Sequence, residues 1–305
     1  MSITTKYIIL AGTSKAATTS VFNYLADHPK ICGSHIKQTN YFLNQDTQDS
    51  LGLHSTYSYT KDFKDYKNYF NSNNQEKYNL EATPDYMYYS ETIYRLQSFS
   101  NLYDTKIVLI LRHPVSRFKS WYNFGKQQGS IDQNITFKDY YKKSKEYLGD
   151  SNPSLMAYKT GFYSNYLKTI FDAFKREDII ICFYEDLTSN PQDFMLELSD
   201  NLNIEKQFYN NYNFSHFNKT VKTKSKLLNK TYNGFRSFYI KFLNKGKLGV
   251  KIGQYLKNIL SPLYKKINTT KISTDHVDQD IIKKLHEDYQ QEILKIKTLI
   301  PKTPW

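Results

Sequence analysis

Three short apolar runs along the chain predict buried β-strands. They cover Lys6–Ala11, Lys106–Leu111 and Asp178–Phe183, and each is rich in isoleucine, leucine or valine. Continuous rather than alternating apolar character is typical of parallel strands that are buried on both faces. After the first run, apolar residues recur at helical spacing from Val21 to Leu25. This pattern predicts an α/β protein with a central parallel sheet.

A loop of small residues with one lysine follows the first predicted strand. Residues 14–19 read Ser-Lys-Ala-Ala-Thr-Thr, directly before the helical pattern. A strand, a tight loop and a helix N-terminus form a binding site for phosphate or sulfate. The ATP-binding Walker A loop needs lysine after glycine and before Ser/Thr, whereas Lys15 stands three residues before Thr18. We therefore expect a different anion site, with an ordinary turn and a solvated lysine as the alternative.

A second candidate anion site follows the apolar run that ends at Leu111. Arg112 stands at the predicted strand end, where open α/β sheets bind ligands. Pro114 suits the first turn of a helix, and Ser120 lies about two helical turns into it. An arginine with a hydroxyl suits a phosphate monoester, because the guanidinium fork matches its oxygens. The alternative is a structural ion pair at Arg112 and a packing role for Ser120.

The two segments resemble the nucleotide-binding motifs of sulfotransferases that use 3′-phosphoadenosine 5′-phosphosulfate (PAPS). The family's first motif is usually Lys-x-Gly-Thr-Thr, and this chain has alanine in place of the glycine. The resemblance implies that Arg112 and Ser120 bind the 3′-phosphate. It also implies a 5′-phosphosulfate loop made of Ser14, Lys15, Ala16, Ala17, Thr18 and Thr19.

The resemblance extends over essentially the whole chain. Further matching segments begin at Glu81 (Glu-x-Thr-Pro-x-Tyr), at Gly161 (Gly-x-Tyr) and at Tyr184 (Tyr-Glu-Asp-Leu). It implies one sulfotransferase domain over residues 1–305, with a P-loop-NTPase-like three-layer fold. A basic, aromatic-rich segment at about 227–271 matches least. The similarity to carbohydrate and bacterial sulfotransferases implies transfer to a hydroxyl of a carbohydrate or glycolipid.

One position departs from the family in a way that affects the chemistry. Carbohydrate sulfotransferases carry Lys-Glu after the second strand, and this glutamate is the general base. This chain has Lys37 followed by Gln38, and an amide is not basic enough for that role. Gln38 is expected to orient the acceptor hydroxyl through a hydrogen bond. Lys37 is expected to contact the sulfuryl group, and Lys15 is expected to stabilise the leaving group. His35, Glu81 and Asp85 are the alternative bases, and the sequence does not choose among them.

Two rival functions follow from these departures. A nucleotide-binding homologue without the usual base would bind nucleotide or polyanion and catalyse nothing. A kinase-like phosphotransferase would need the Walker A lysine that the loop lacks. No metal is expected, because no Cys/His pair has the spacing of metal ligands. Cys32 and Cys182 are expected to be buried free thiols rather than a disulfide.

The positive charge is concentrated in one segment. Between Lys206 and Thr274 there is no Asp or Glu, and fifteen of the 42 basic residues lie there. The resemblance implies that Lys222 and Lys224 belong to a loop that closes over the nucleotide. Residues 235–264 interleave lysines with aromatic and aliphatic residues, which suits an anionic membrane surface or a polyanionic glycan. A solvated basic face is the alternative, and nucleic acid is not expected because no recognition motif accompanies the charge.

Location and the remaining elements are also predicted. The chain shows neither a signal peptide nor a membrane-spanning apolar run, so we expect a cytoplasmic or membrane-peripheral protein. Helices are predicted at Phe137–Tyr147 and Leu155–Phe174. Residues 44–79 are expected to form loops and short helices around the acceptor cleft. Their many tyrosines are expected to stack on sugars or to be exposed.

Overall fold

The computed structural model describes residues 6–53, 55–71, 77–214, 222–223, 269–270 and 278–305. These residues group into two compact units. The first unit takes the described residues of Met1–Phe118, Lys159–Asn218 and Leu285–Trp305. The second takes those of Lys119–Tyr158 and Lys219–Lys284. A single domain over residues 1–305 stays a prediction.

A parallel sheet of five strands forms the centre of the first unit. Its strands are β1 Lys6–Gly12, β2 Ile31–Gly33, β3 Tyr78–Glu81, β4 Thr105–Leu111 and β5 Ile179–Phe183. Their order is β2-β3-β1-β4-β5, and all neighbours run parallel. The predicted parallel sheet is therefore confirmed, with its three predicted strands side by side as β1, β4 and β5.

Both faces of the sheet are buried, which explains the continuous apolar runs. Ile9 of β1 and Leu109 of β4 belong to one apolar core, while Ile8 and Val108 belong to a second. All four side chains are 0% exposed. A parallel sheet covered on both faces gives the predicted three-layer fold.

Helices account for most of the remaining regular structure. In chain order they are α1 Thr18–Ala26, α2 Gln45–Leu51, α3 Ser90–Ser100, α4 Pro114–Gln128, α5 Phe137–Glu146, α6 Tyr163–Ala173, α7 Tyr184–Ser189, α8 Pro191–Leu202 and α9 Gln279–Leu299. In the second unit, Thr136 caps α5 by accepting from the Asp139 N–H at 3.1 Å. The predicted helix at Phe137–Tyr147 is thus confirmed to within one residue. The same unit contains a short antiparallel pair, β6 Lys222–Thr223 and β7 Thr269–Thr270.

The predicted helix at Leu155–Phe174 is wrong in its first half. Two short 3₁₀ turns end at Gly161, and α6 begins only at Tyr163. A Cβ on Gly161 would lie 2.6 Å from the hydroxyl oxygen of Tyr289 on α9. Glycine disfavours helix, and here it makes room for a neighbouring ring. The α-helix therefore begins later than the sequence indicated.

Two tyrosines of the 44–79 region, Tyr66 and Tyr69, belong to the core rather than to an acceptor surface. Tyr66 and Tyr69 are 0% exposed. The Tyr66 ring lies 4.9 Å from that of Phe42 and 5.1 Å from that of Phe99, centroid to centroid. For Tyr66 and Tyr69, therefore, both expectations, sugar stacking and solvent exposure, are wrong. Aromatic packing replaces the aliphatic periodicity that the sequence lacks here.

The two cysteines are free thiols, as predicted. Cys32 lies on β2 and Cys182 on β5, and both residues are half-buried rather than fully buried. Burial of the sulfur atom raises the pKa of the Cys182 thiol to about 12. Over the described ranges, no helix combines the length and apolar character needed to cross a bilayer.

Candidate functional site

The loop between β1 and α1 leaves the first backbone N–H groups of α1 available to a ligand. β1 ends at Gly12 and α1 begins at Thr18, and the Ala16 N–H donates to the Thr13 carbonyl at 3.3 Å. The first N–H groups of a helix have no acceptor inside it, so those at Thr18 and Thr19 are directed towards the loop. With the positive end of the helix dipole they form an anion cradle. The predicted strand, loop and helix are all present.

Ala17 adopts a backbone conformation that favours glycine. Its φ is 60° and its ψ is 24°, in the left-handed region, directly before α1. A residue with a Cβ pays a steric cost there of about 1–2 kcal/mol. The loop thus holds alanine in a conformation that glycine adopts without this cost.

Replacing Ala17 with glycine should stabilise the protein by about 0.5–1 kcal/mol. Removing the Cβ relieves the steric cost, and the greater freedom of glycine in the unfolded chain offsets part of that gain. Urea unfolding of both proteins measures the difference. Ala26→Gly, in the last turn of α1, is the control and should destabilise by about 0.5–1 kcal/mol. A less stable Ala17→Gly protein would contradict the strain at this position.

Two arginines bind the loop through its carbonyl groups. Arg112 directly follows β4 and donates from Nη1 to the Lys15 carbonyl at 2.9 Å. Arg117 on α4 donates from Nε to the Ser14 carbonyl at 3.1 Å. Burial and then the charges of Arg112 and Arg117 lower the pKa of Lys15 to about 8. Three cationic side chains are therefore brought together at one helix N-terminus, where a bound anion would relieve their repulsion.

Arg112 keeps one hydrogen-bond donor for a ligand. Its Nε is buried and has no hydrogen-bond partner among the described residues. The guanidinium lies over the ring of Tyr184, 4.1 Å from its centroid, and Tyr163 donates to the Arg112 carbonyl at 2.7 Å. A guanidinium fixed in position, with an N–H that has no acceptor in the protein, is suited to bind a phosphate group.

Arg117 is a site residue that the sequence reasoning missed. It is 1% exposed, and its Nη2 donates to the Tyr88 hydroxyl at 2.9 Å and to Thr160 Oγ1 at 2.7 Å. The sequence does contain a signal for it. Arg117 lies three residues after Pro114 and four before Trp121, so all three lie on the same, apolar face of α4. An arginine on the apolar face of a helix indicates a buried polar network.

Lys37 and Gln38 follow β2 and differ in burial. Lys37 is half-buried and Gln38 is exposed. Burial lowers the pKa of Lys37 to about 8, while the negative charges of Asp85 and Glu81 act in the opposite direction. The structure thus places Lys37 within electrostatic reach of both carboxylates that the sequence left open as bases.

His35 is exposed and makes its described contacts with Tyr69. Its Nδ1 donates to the Tyr69 carbonyl at 2.8 Å. The two rings are stacked with their centroids 5.7 Å apart. These contacts tie the imidazole to the turn at Tyr66–Tyr69, and its role as a base stays a prediction.

The two carboxylates differ in their surroundings. Glu81 is 0% exposed, and its Oε2 accepts from Thr39 at 3.0 Å and from Thr83 at 3.1 Å. Burial raises the pKa of Glu81 to about 7. Asp85 is half-buried, and its Oδ1 accepts from Ser14 Oγ at 2.6 Å. Asp85 is thereby joined to the loop that contains Lys15.

The other predicted nucleotide-binding residues stay predictions. Ser120 lies on α4, in the part that belongs to the second unit, and is half-buried. Lys222 is described through its backbone in β6. Lys224 and most of the 227–271 segment, including all of 235–264, lie outside the described residues.

Comparison with known families shows the family to which the chain belongs. The sequence pattern described as "Sulfotransferase domain" matches residues 5–296. The chain belongs to the sulfotransferase family. The resemblance predicted from the loop motifs is therefore confirmed, and so is the fold that it implies.

Individual relatives of this sulfotransferase are distant or partial. The membrane-associated sulfotransferase kil1 of Dictyostelium discoideum is 35% identical over 119 residues. That match covers 39% of this chain and 23% of the relative, so it spans about a quarter of the relative's length. The crystal structure of a sulfotransferase from Alicyclobacillus acidocaldarius superposes with a TM-score of 0.58 at 20% identity. It covers 75% of this chain and 91% of that chain, which shows a shared fold.

In the described part of this sulfotransferase, no three His, Cys, Asp or Glu side chains come together as candidate metal ligands. What the loop offers a ligand is cationic groups and backbone N–H donors.

Proposed function

We propose that this sulfotransferase moves a sulfuryl group from PAPS to a hydroxyl group. The observation that supports it most is Lys15 at a helix N-terminus, flanked by Arg112 and Arg117. Such a site stabilises the several negative charges of a nucleotide phosphosulfate. PAPS supplies the sulfuryl group and a good leaving group, so the protein needs mainly to position the reactants and stabilise charge.

Each part of the site has a role in this proposal. Lys15 stabilises the charge that develops on the leaving phosphate, and Lys37 contacts the sulfuryl group. The N–H groups of residues 14–19, with the hydroxyls of Thr18 and Thr19, bind the 5′-phosphate. Arg112, with its unused Nε donor, and Ser120 bind the 3′-phosphate. Lys222 and Lys224 close over the nucleotide.

Calorimetric titration with adenosine 3′,5′-bisphosphate (PAP), the product nucleotide, tests the donor site. Wild-type protein should bind PAP in the micromolar range, and Arg112→Ala should weaken binding by about 10–100-fold through loss of charged hydrogen bonds. Arg176→Ala is the control, because Arg176 is an exposed arginine beside β5. Unchanged binding in Arg112→Ala would overturn the assignment. A preference for ATP–Mg over PAP would support the kinase-like alternative.

The glutamine at position 38 favours one alternative function. A homologue without a base would bind PAP but release none from PAPS. In that case Gln38→Glu, which restores the family residue, should produce transfer that the wild type lacks. Turnover of PAPS by the wild type rejects this alternative.

The acceptor and the location belong to the proposal as well. The acceptor is the hydroxyl of a carbohydrate or glycolipid, by similarity to carbohydrate sulfotransferases.

The protein is cytoplasmic and touches anionic membrane through residues 235–264. Their lysine-rich, aromatic sequence supports that contact, and so does the name of the membrane-associated relative. Co-sedimentation with phosphatidylserine vesicles, with and without these residues, tests it.

A further inference from the structure

Transfer to a hydroxyl needs a group that accepts the hydroxyl proton. Gln38 occupies the position of the family's base, and its amide cannot take up a proton at neutral pH. If the proposed function holds, another side chain beside the phosphosulfate loop must do so. Among the described residues, the carboxylates that act on Lys37 are Asp85 and Glu81.

Asp85 is attached directly to the phosphosulfate loop. It lies between β3 and the turn at Tyr86–Tyr88. Its Oδ1 accepts from the Ser14 hydroxyl at 2.6 Å, one residue before Lys15. No described residue hydrogen-bonds its Oδ2, which leaves one carboxylate oxygen to accept a proton. Asp85 is half-buried, unlike Glu81, which is 0% exposed.

Glu81 is placed for a different task. It is 0% exposed, and its Oε2 already accepts from Thr39 and Thr83. These two hydrogen bonds connect the loop after β2 with the segment after β3. Because Glu81 is fully buried, we assign it the role of holding the two loops together.

The surroundings of Asp85 raise its basicity. Burial raises the pKa of Asp85 above its ordinary value, while the Ser14 hydrogen bond and the positive charges of Arg117 and Lys37 oppose the rise. Tyr88, on the turn that follows Asp85, is the other titratable group that interacts with it. The pKa of Asp85 thus lies above that of an exposed aspartate, which makes it the more basic of the two.

We propose that Asp85 is the general base of this sulfotransferase. As the acceptor oxygen forms its bond to sulfur, Asp85 Oδ2 takes the hydroxyl proton. The bond between sulfur and the oxygen shared with the 5′-phosphate breaks at the same time. Its electron pair leaves on the phosphate of PAP, beside Lys15. Asp85 then releases the proton to water, which restores the carboxylate.

Asp85→Asn tests this role, because asparagine still accepts the Ser14 hydrogen bond but not a proton. PAP release from PAPS is measured with methyl glycosides as acceptors and with water alone. The variant should lose about 10²–10⁴-fold in rate while binding PAP within threefold of wild type by calorimetry. The wild-type rate should rise with pH as Asp85 ionises, and this limb should be absent in the variant. Asp46→Asn, at an exposed position on α2, should change neither quantity.

The outcomes separate this role from the function on which it rests. If wild-type protein neither binds PAP nor releases it from PAPS, the proposed function fails. If the wild type turns over and Asp85→Asn does so equally fast, Asp85 is not the base. Loss of PAP binding in Asp85→Asn would overturn the role of Asp85 as general base and show that it only positions the loop. Gain of activity in Asp85→Asn when Gln38→Glu is added would support it, because a second carboxylate then replaces the first.

Discussion

Lys15→Ala should lower the rate of PAP release from PAPS by about 10²–10³-fold, the effect of removing one donor from a developing negative charge. The charge on the leaving phosphate is larger in the transition state than in bound PAPS, so the rate constant should fall more than the affinity for PAPS. Lys61→Ala, at an exposed position, is the control for loss of a lysine. Loss of PAPS affinity with an unchanged rate constant would show that Lys15 only binds the nucleotide.

The depressed pKa of Lys15 gives the same prediction a pH dependence. The charged lysine binds the nucleotide, so PAP affinity should be highest below pH 8 and should fall as the pH rises through the pKa of about 8. An ordinary lysine would keep its charge to about pH 10. Lys37, with a pKa also about 8, contributes to the same fall. Lys15→Met should therefore flatten the profile without abolishing it, and calorimetry at several pH values measures this.

Arg117→Met should destabilise the first unit by about 3 kcal/mol or more. The buried guanidinium donates to the Ser14 carbonyl, the Tyr88 hydroxyl and Thr160 Oγ1. Methionine fills much of the space but leaves these buried acceptors without their donor, at about 1–3 kcal/mol each where no water replaces it. PAP binding should fall as well, because the hydrogen bond from Arg117 to the Ser14 carbonyl holds the shape of the loop.

Urea unfolding measures this loss of stability. Arg176→Met is the matched control, since Arg176 is exposed and should cost no more than about 0.5 kcal/mol. Equal midpoints for the two variants would contradict a structural role for Arg117. A destabilised Arg117→Met protein with normal PAP affinity would show that the network supports the fold and not the loop.

The elements whose signal is local could be predicted from the sequence. β1, β4 and β5 are continuous apolar runs, and the loop at Lys15 follows the first of them. Each signal is contained within about ten residues, and the parallel sheet follows from the strands being buried on both faces.

What could not be predicted depends on contacts between distant parts of the chain. Ser14 and Asp85 are 71 residues apart, and Arg117 and Thr160 are 43 residues apart. Nothing in the local pattern pairs them, so Asp85 stayed one of several carboxylates and Arg117 was overlooked. The turn at Gly161 was missed for the same reason, because the ring that fills its space comes from Tyr289.

The contact between α6 and α9 can form only late in the synthesis of the chain. Ser164, at the start of α6, donates its N–H and its hydroxyl to the buried carboxylate of Glu292, which lies 128 residues later. At about 5–20 residues per second, a ribosome needs roughly 6–25 s to add that stretch. During this time the loop at Lys15 and the two arginines that bind it have been made, but the start of α6 lacks its partner. The nascent first unit must therefore survive for seconds without its last helix, which is the interval in which chaperones or proteases can act on it.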